Sequence, residues 1–99
     1  MIEVAALVFR NSFGHVLTVR KDSSTKFQLP GGKLEAGETP AQAAAREVAE
    51  EIGVDVRLPE LSPLGIFDAP AANEPGETVR GHIFTYPRPI LAHAAAEIA

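Results

Sequence analysis

The chain has 99 residues, 13 acidic against nine basic side chains, a net charge of −4 and no cysteine. These values leave room for little beyond one domain and exclude a disulfide framework, a thiolate metal site and a broad face for a nucleic-acid polymer. No apolar run reaches the length of a membrane span, and Glu3 stands where a signal peptide carries bases, so a soluble cytoplasmic protein with no membrane partner is expected.

Residues 2–9 form an apolar run with Glu3 as its one charge, which predicts a strand buried on both faces. Asn11-Ser12-Phe13-Gly14 is a turn signal, and residues 15–20 alternate as a second strand, so the two are expected to make a hairpin. A polar loop over residues 21–26 leads to a short strand, Phe27-Gln28-Leu29. Pro30-Gly31-Gly32 ends it, because proline cannot donate to a ladder and glycine frees the backbone. Residues 39–52 are the best helix. Thr39 serves as N-cap, Pro40 suits the first helical position, Gln42 completes a capping box and Gly53 is a stop signal. Residues 54–58, 64–67 and 78–86 read as further strands, 70–77 as a long loop, and 92–99 as a helical tail. With no repeat and no linker, residues 1–99 predict a single mixed domain, α/β (α+β) in class.

On the predicted helix, Ala41, Ala44, Ala45, Val48 and Ile52 share one face. Glu47, Glu50 and Glu51 share another, at spacings i, i+3 and i+4. Like charges so placed cost roughly 0.2–0.5 kcal/mol per pair, and only Arg46 stands near to offset them. Two readings of this ridge stand open. It is an acidic solvated face, or a set of hard oxygen ligands for Mg2+, which would cancel the repulsion, polarise phosphoryl oxygens and activate water. The helix alone does not decide between them.

The wider spacing does. Gly32, five residues, Glu38, seven residues, then Arg46-Glu47-Val48-Ala49-Glu50-Glu51-Ile52-Gly53-Val54 resembles the Nudix box at every defined position. That box reads G-x5-E-x7-R-E-U-x-E-E-x-G-U, with U aliphatic. Seven of its positions demand one residue type each, at a background of about one in fifteen to twenty, so chance gives the match far less often than roughly one time in a million. The preceding Leu29-Pro30-Gly31 and the strand after the box are also similar to the family. The resemblance implies a Nudix-like α/β/α sandwich with a mixed sheet. It also implies a pyrophosphohydrolase that cleaves the diphosphate linkage of a nucleoside-diphosphate derivative by water attack at phosphorus, with Mg2+, or Mn2+ in its place.

By position, the resemblance implies that Glu47, Glu50 and Glu51 are the metal-binding and base-activating acids. Glu47 and Glu51 would be ligands, and Glu50 either a ligand or the group that orients water. Arg46 would hold a catalytic glutamate by a charge-assisted hydrogen bond, and the Gly31 carbonyl would be a metal ligand. Glu38 would support the loop or an outer metal. Glu97 is either a late acid that completes the metal site or a solvated residue near a frayed end. Gly32 and Gly37 read as loop positions that need close approach or positive φ, and Gly53 as the helix stop.

Family members commonly continue with another strand and a helix over the sheet, so the chain is expected to lack these and to leave apolar surface that favours association, a homodimer included. Pro70, sixteen residues beyond Val54, resembles a feature of the ADP-ribose-cleaving branch, and a nucleoside-triphosphate-cleaving enzyme is the parallel reading. A nucleotide-sensing module without catalysis is the alternative; such modules usually lose acids of the box, and this chain keeps them.

The remaining candidates read as structural. Arg20, Lys21 and Lys26 are scattered surface bases, and Phe27 and Phe67 are core residues in preference to base-stacking ones. Arg80 is either a solvated strand residue or one that reaches substrate. His15, His82 and His93 show no ligand spacing.

Overall fold

A computed structural model describes residues 1–20, 27–71, 75–88 and 96–98, with no side-chain description for Phe27 and residues 96–98. Strand β1 (Ile2–Val8) lies at the centre of a four-stranded sheet. The sheet is mixed. β1 runs antiparallel to β4 (Gly31–Lys33) on one side and parallel to β6 (Thr78–Thr85) on the other, and β5 (Ser62–Pro70) closes the edge antiparallel to β6. A second, antiparallel sheet has the order β3 (Phe27–Gln28), β2 (Leu17–Arg20), β7 (Ala96–Ile98). One α-helix, α1 (Pro40–Ile52), is described.

Strand alternation sends Ala5 and Leu7 to one face of β1, where they are fully buried against Ala43, Ala44, Val48 and Ile52 of α1. Phe9, Leu17, Val19 and Tyr86 extend this core toward the second sheet, with the Phe9 and Tyr86 rings edge to face at 5.7 Å. Ile2, Val4 and Ala6 on the opposite face stay half-buried and only Val8 at its end is buried there, so the strand expected to be buried on both faces is fully closed off along one. Ala43 takes the core position on the helix that the predicted stripe assigned to Ala41 and Ala45, both of which are half-buried.

Three expectations are corrected. The hairpin of the first two strands exists only next to its turn, through the Arg10–Val16 bridge and the Leu17 N–H on the Phe9 carbonyl at 2.9 Å. Beyond that point the chain leaves for the second sheet, because β4 and β6 already occupy both edges of β1. Residues 54–58 form no strand: Val54 and Val56 pack on the helix-side core and the chain closes a 3-10 turn, Leu58–Glu60, in which Pro59 has no N–H to give a ladder. Of the expected helical tail, residues 96–98 are strand β7, paired with β2, and residues 92–95 and 99 lie outside the described residues. β5 runs longer than expected, through Pro63 to Pro70; as an edge strand it tolerates proline, with a register shift between Pro63 and Gly65. Among the described residues no helix is long and apolar enough to cross a membrane.

Candidate active site

The site begins with how α1 is started and aimed. The Thr39 side chain accepts from the Gln42 N–H at 3.2 Å, and the Gln42 side chain accepts from the Thr39 N–H at 3.0 Å, so the expected capping box is formed. Gly53 closes the helix in the left-handed region at φ 67°. The chain enters α1 from β4 through a turn in which the Glu38 N–H reaches the Glu35 carbonyl and Gly37 has φ 82°. This short connection lays α1 beside the outer edge of β4.

Along that edge, backbone and helix side chains meet. The Gly31 N–H donates to a Glu51 carboxylate oxygen at 2.8 Å, and the Lys33 carbonyl accepts from Arg46 Nη2 at 3.1 Å. In an antiparallel strand one residue's N–H and C=O point to the same side, so the Gly31 carbonyl also faces away from β1. A Cβ on Gly32 would collide with the Glu47 carboxylate; the missing side chain is the space in which that carboxylate rests. At Gly31 a Cβ would collide with the Ala5 carbonyl, so this glycine is required by the close pairing of β4 with β1.

Arg46 ties the acids together. Nε and Nη2 grip the two Glu38 oxygens at 2.7 and 3.0 Å, and Nη1 donates to Glu47 at 3.2 Å and Glu50 at 2.8 Å. With the bond to the Lys33 carbonyl, all five N–H groups of the guanidinium are used. Glu35 adds a longer contact at 3.5 Å. The Arg46 bond, with help from the Glu35 N–H, holds the Glu38 carboxyl below its ordinary range, and Glu38 in turn pushes the Arg46 guanidinium further up.

The predicted residues Gly31, Gly32, Glu38, Arg46, Glu47, Glu50 and Glu51 are thus brought to one place. Gly53 is not there; it ends the helix. Glu97 sits in β7 opposite Thr18 by its backbone, with its side chain outside the described residues, as are Lys21, Lys26 and His93. Arg80 makes a two-pronged pair with Asp68 at 2.9 and 3.0 Å, which occupies it within the sheet. His82 meets Glu3 at 3.0 Å. Phe67, expected in the core, is 58% exposed. Sequence reasoning missed Glu35 and the Lys33 carbonyl, neither of which any spacing rule marks.

Among the described residues no three acid or histidine side chains converge on one point as a cation would require: Glu47 and Glu50 turn to Arg46, and Glu51 to the Gly31 N–H. The donor chemistry nevertheless fits a hard divalent cation, with only oxygens on offer: three carboxylates within about one helical turn beside an outward backbone carbonyl.

The NUDIX domain family model matches residues 1–95. An 8-oxo-dGTP diphosphatase of Haemophilus influenzae is 48% identical over 65 residues, which cover 62% of this chain and 48% of that protein. The 8-oxo-dGTP diphosphatase of Escherichia coli is 37% identical over 57 residues, covering 54% of this chain and 44% of that one. The chain spans about half, or less, of the length of these curated relatives. A crystal structure of the MutT protein from Methanosarcina mazei Go1 shares the fold, with a TM-score of 0.74 at 24% identity over 99% of this chain and 69% of that one.

Proposed function

The chain belongs to the NUDIX domain family, and from that premise we propose that it hydrolyses the diphosphate linkage of a nucleoside di- or triphosphate derivative with Mg2+. The observation that carries this reading is the row of α1 carboxylates along the outer edge of β4, anchored by Arg46 and opposite the outward Gly31 backbone. Glu47, Glu51 and the Gly31 carbonyl would hold the cation, with Glu50 as a further ligand or the group that orients water. Bound there, a divalent cation supplies charge neutralisation and orientation of the diphosphate, which transfer at phosphorus chiefly needs.

The chain's own residues supply the rest. A glutamate accepts the proton of the attacking water, while Arg46 limits the rotamers of Glu47 and Glu50 so that their carboxylates stay near the substrate edge. Glu38 is a positioning residue: it takes two of the guanidinium's donors and so fixes the plane of Arg46. The names of the relatives favour a triphosphate-cleaving enzyme over an ADP-ribose-cleaving one.

A panel of (deoxy)nucleoside triphosphates, ADP-ribose and dinucleoside polyphosphates, assayed with Mg2+ and with chelator, tests the reading. Turnover is expected only with the cation, and Glu51→Gln is expected to lower it by on the order of 100-fold or more. A folded chain that turns over none of the panel would end the hydrolase reading.

A further inference from the structure

β5 is an outer strand of the mixed sheet, and among the described residues no strand lies beyond it. It is nine residues long, exposed at every position but Gly65, and it carries Leu64, Ile66 and Phe67, which are 54%, 63% and 58% exposed. A long apolar edge of this kind is a template for another strand, and soluble proteins usually guard against it. Proline, one such guard, stands only toward the ends of β5, at Pro63 and Pro70.

Which backbone groups face outward follows from the pairing with β6. The Ala71 N–H donates to the Glu77 carbonyl at 3.0 Å, so Ala71 turns its backbone toward that side. In an antiparallel strand each residue points its N–H and C=O to one side and the next residue to the other. The register is unbroken from Gly65 to Pro70, so Gly65, Phe67 and Ala69 also address β6, while Ile66, Asp68 and Pro70 face outward. Pro70 suits that alternation, since its missing N–H costs β6 nothing. The outward stretch therefore offers two complete sets of N–H and C=O, those of Ile66 and Asp68, between the register shift before Gly65 and Pro70.

A two-fold axis through Phe67 makes this edge its own complement. Ile66 of one copy then exchanges both hydrogen bonds with Asp68 of the other, and the reverse, so every outward N–H and C=O of the two residues is paired. Phe67 falls opposite Phe67 in the closer, non-hydrogen-bonded kind of pair, about 4.5 Å between Cα atoms, where aromatic side chains meet. Charge does not oppose the contact: Asp68, the one charged residue of β5, is held by Arg80 at 2.9 and 3.0 Å. An axis through Asp68 would set two carboxylates against each other, and one through Ile66 would run into the register shift at Leu64. We propose that a second copy of this chain adds to the β5 edge, antiparallel and centred on Phe67, and joins the two four-stranded sheets into one. A stable interface draws on about 20–30 residues a side, and β5 has nine. The dimer therefore dissociates on dilution, with a Kd of roughly 10 μM to 1 mM. It leaves the diphosphate site open, because the β4 edge with Glu51 and Arg46 is at the other end of the sheet.

Sedimentation equilibrium from low micromolar to millimolar chain tests this. The mass is expected to rise from one chain to two and to stop there. Ile66→Pro removes an outward donor and spares the bonds to β6, so it is expected to hold the mass at one chain. Phe67→Lys, which sets two ammonium groups face to face, is expected to do the same, with circular dichroism to confirm that each variant is folded. The chain has no cysteine, so single cysteines report the register. Phe67→Cys is expected to form an intermolecular disulfide at least about tenfold faster than Ala69→Cys, because its Cα atoms stand within bonding range and those of Ala69 about 14 Å apart. A single-chain mass throughout leaves the edge to a partner of another kind and overturns the proposal. So does a dimer that survives in folded Ile66→Pro and Phe67→Lys, a mass beyond two chains, or a disulfide that forms no faster at Phe67 than at Ala69.

Discussion

Gly31 and Gly32 are neighbours that exclude a side chain for different reasons. A methyl group on Gly31 would meet the Ala5 carbonyl and lie 2.7 Å from Ala6 Cα, both backbone that cannot move without breaking the β1–β4 pairing. On Gly32 the nearest atoms it would meet belong to the Glu47 side chain, its carboxylate foremost, the far end of a flexible group. Gly31→Ala is therefore expected to destabilise the fold by about 1–3 kcal/mol, the usual cost of overpacking. Gly32→Ala is expected to cost less than about 1 kcal/mol in urea unfolding while it displaces Glu47, so that Mn2+ affinity falls. If Gly32→Ala proves the more destabilising of the two, this account of their contacts is wrong. Arg46 makes a related point. Its planar fork satisfies four partners at once, which the single ammonium of lysine does not reproduce.

At the scale of elements, α1 and β4 differ in how openly the sequence declares them. The helix is specified by its own residues: Thr39, Pro40 and Gln42 at one end, alanines through the middle, Gly53 at the other. Thr39→Ala should cost about 0.5–2 kcal/mol, read as a lowered unfolding midpoint with the helical signal of the folded state retained. An unchanged midpoint would mean that the connection from β4, not the cap, sets the helix start. β4 is Gly-Gly-Lys, with nothing in it that favours a strand. It is one because β1 offers an open edge, and the outward half of its backbone then becomes the surface that Glu51 and Arg46 address. Residues 54–58 show the converse: strand formers whose valines find burial against the helix-side core and so need no ladder.

At the scale of the molecule, three arginine–carboxylate pairs among the described residues fasten one segment to another: Arg46 with Glu38, Arg80 with Asp68, and Arg88 with Glu60. Each arginine holds its carboxylate partner below the ordinary range. A carboxyl depressed in the folded state contributes stability above its unfolded pKa of about 4 and loses it as pH falls through the lower folded value. Stability to urea should hold from neutrality to about pH 5 and decline below about pH 4, and Glu38→Gln should make that decline shallower. A decline of the same slope in Glu38→Gln would show that the Arg46 network is not among its causes.

The sequence by itself determined the helix, its caps, the acidic ridge at i, i+3 and i+4 and, through the spacing from Gly32 to Val54, the family. All of these rest on local geometry: a helix repeats every 3.6 residues whatever surrounds it, and a box of fixed spacing is read without knowing what it folds against. Only the tertiary structure decided that Glu51 reaches the Gly31 N–H across twenty residues, that Glu38, outside the ridge, takes two of the Arg46 donors, that residues 96–98 pair as a strand, and that Phe67 stands exposed. These depend on which strand edges are open and which face the helix covers. They are differences between long-range partners that compete for one position, and no single stretch of chain carries them.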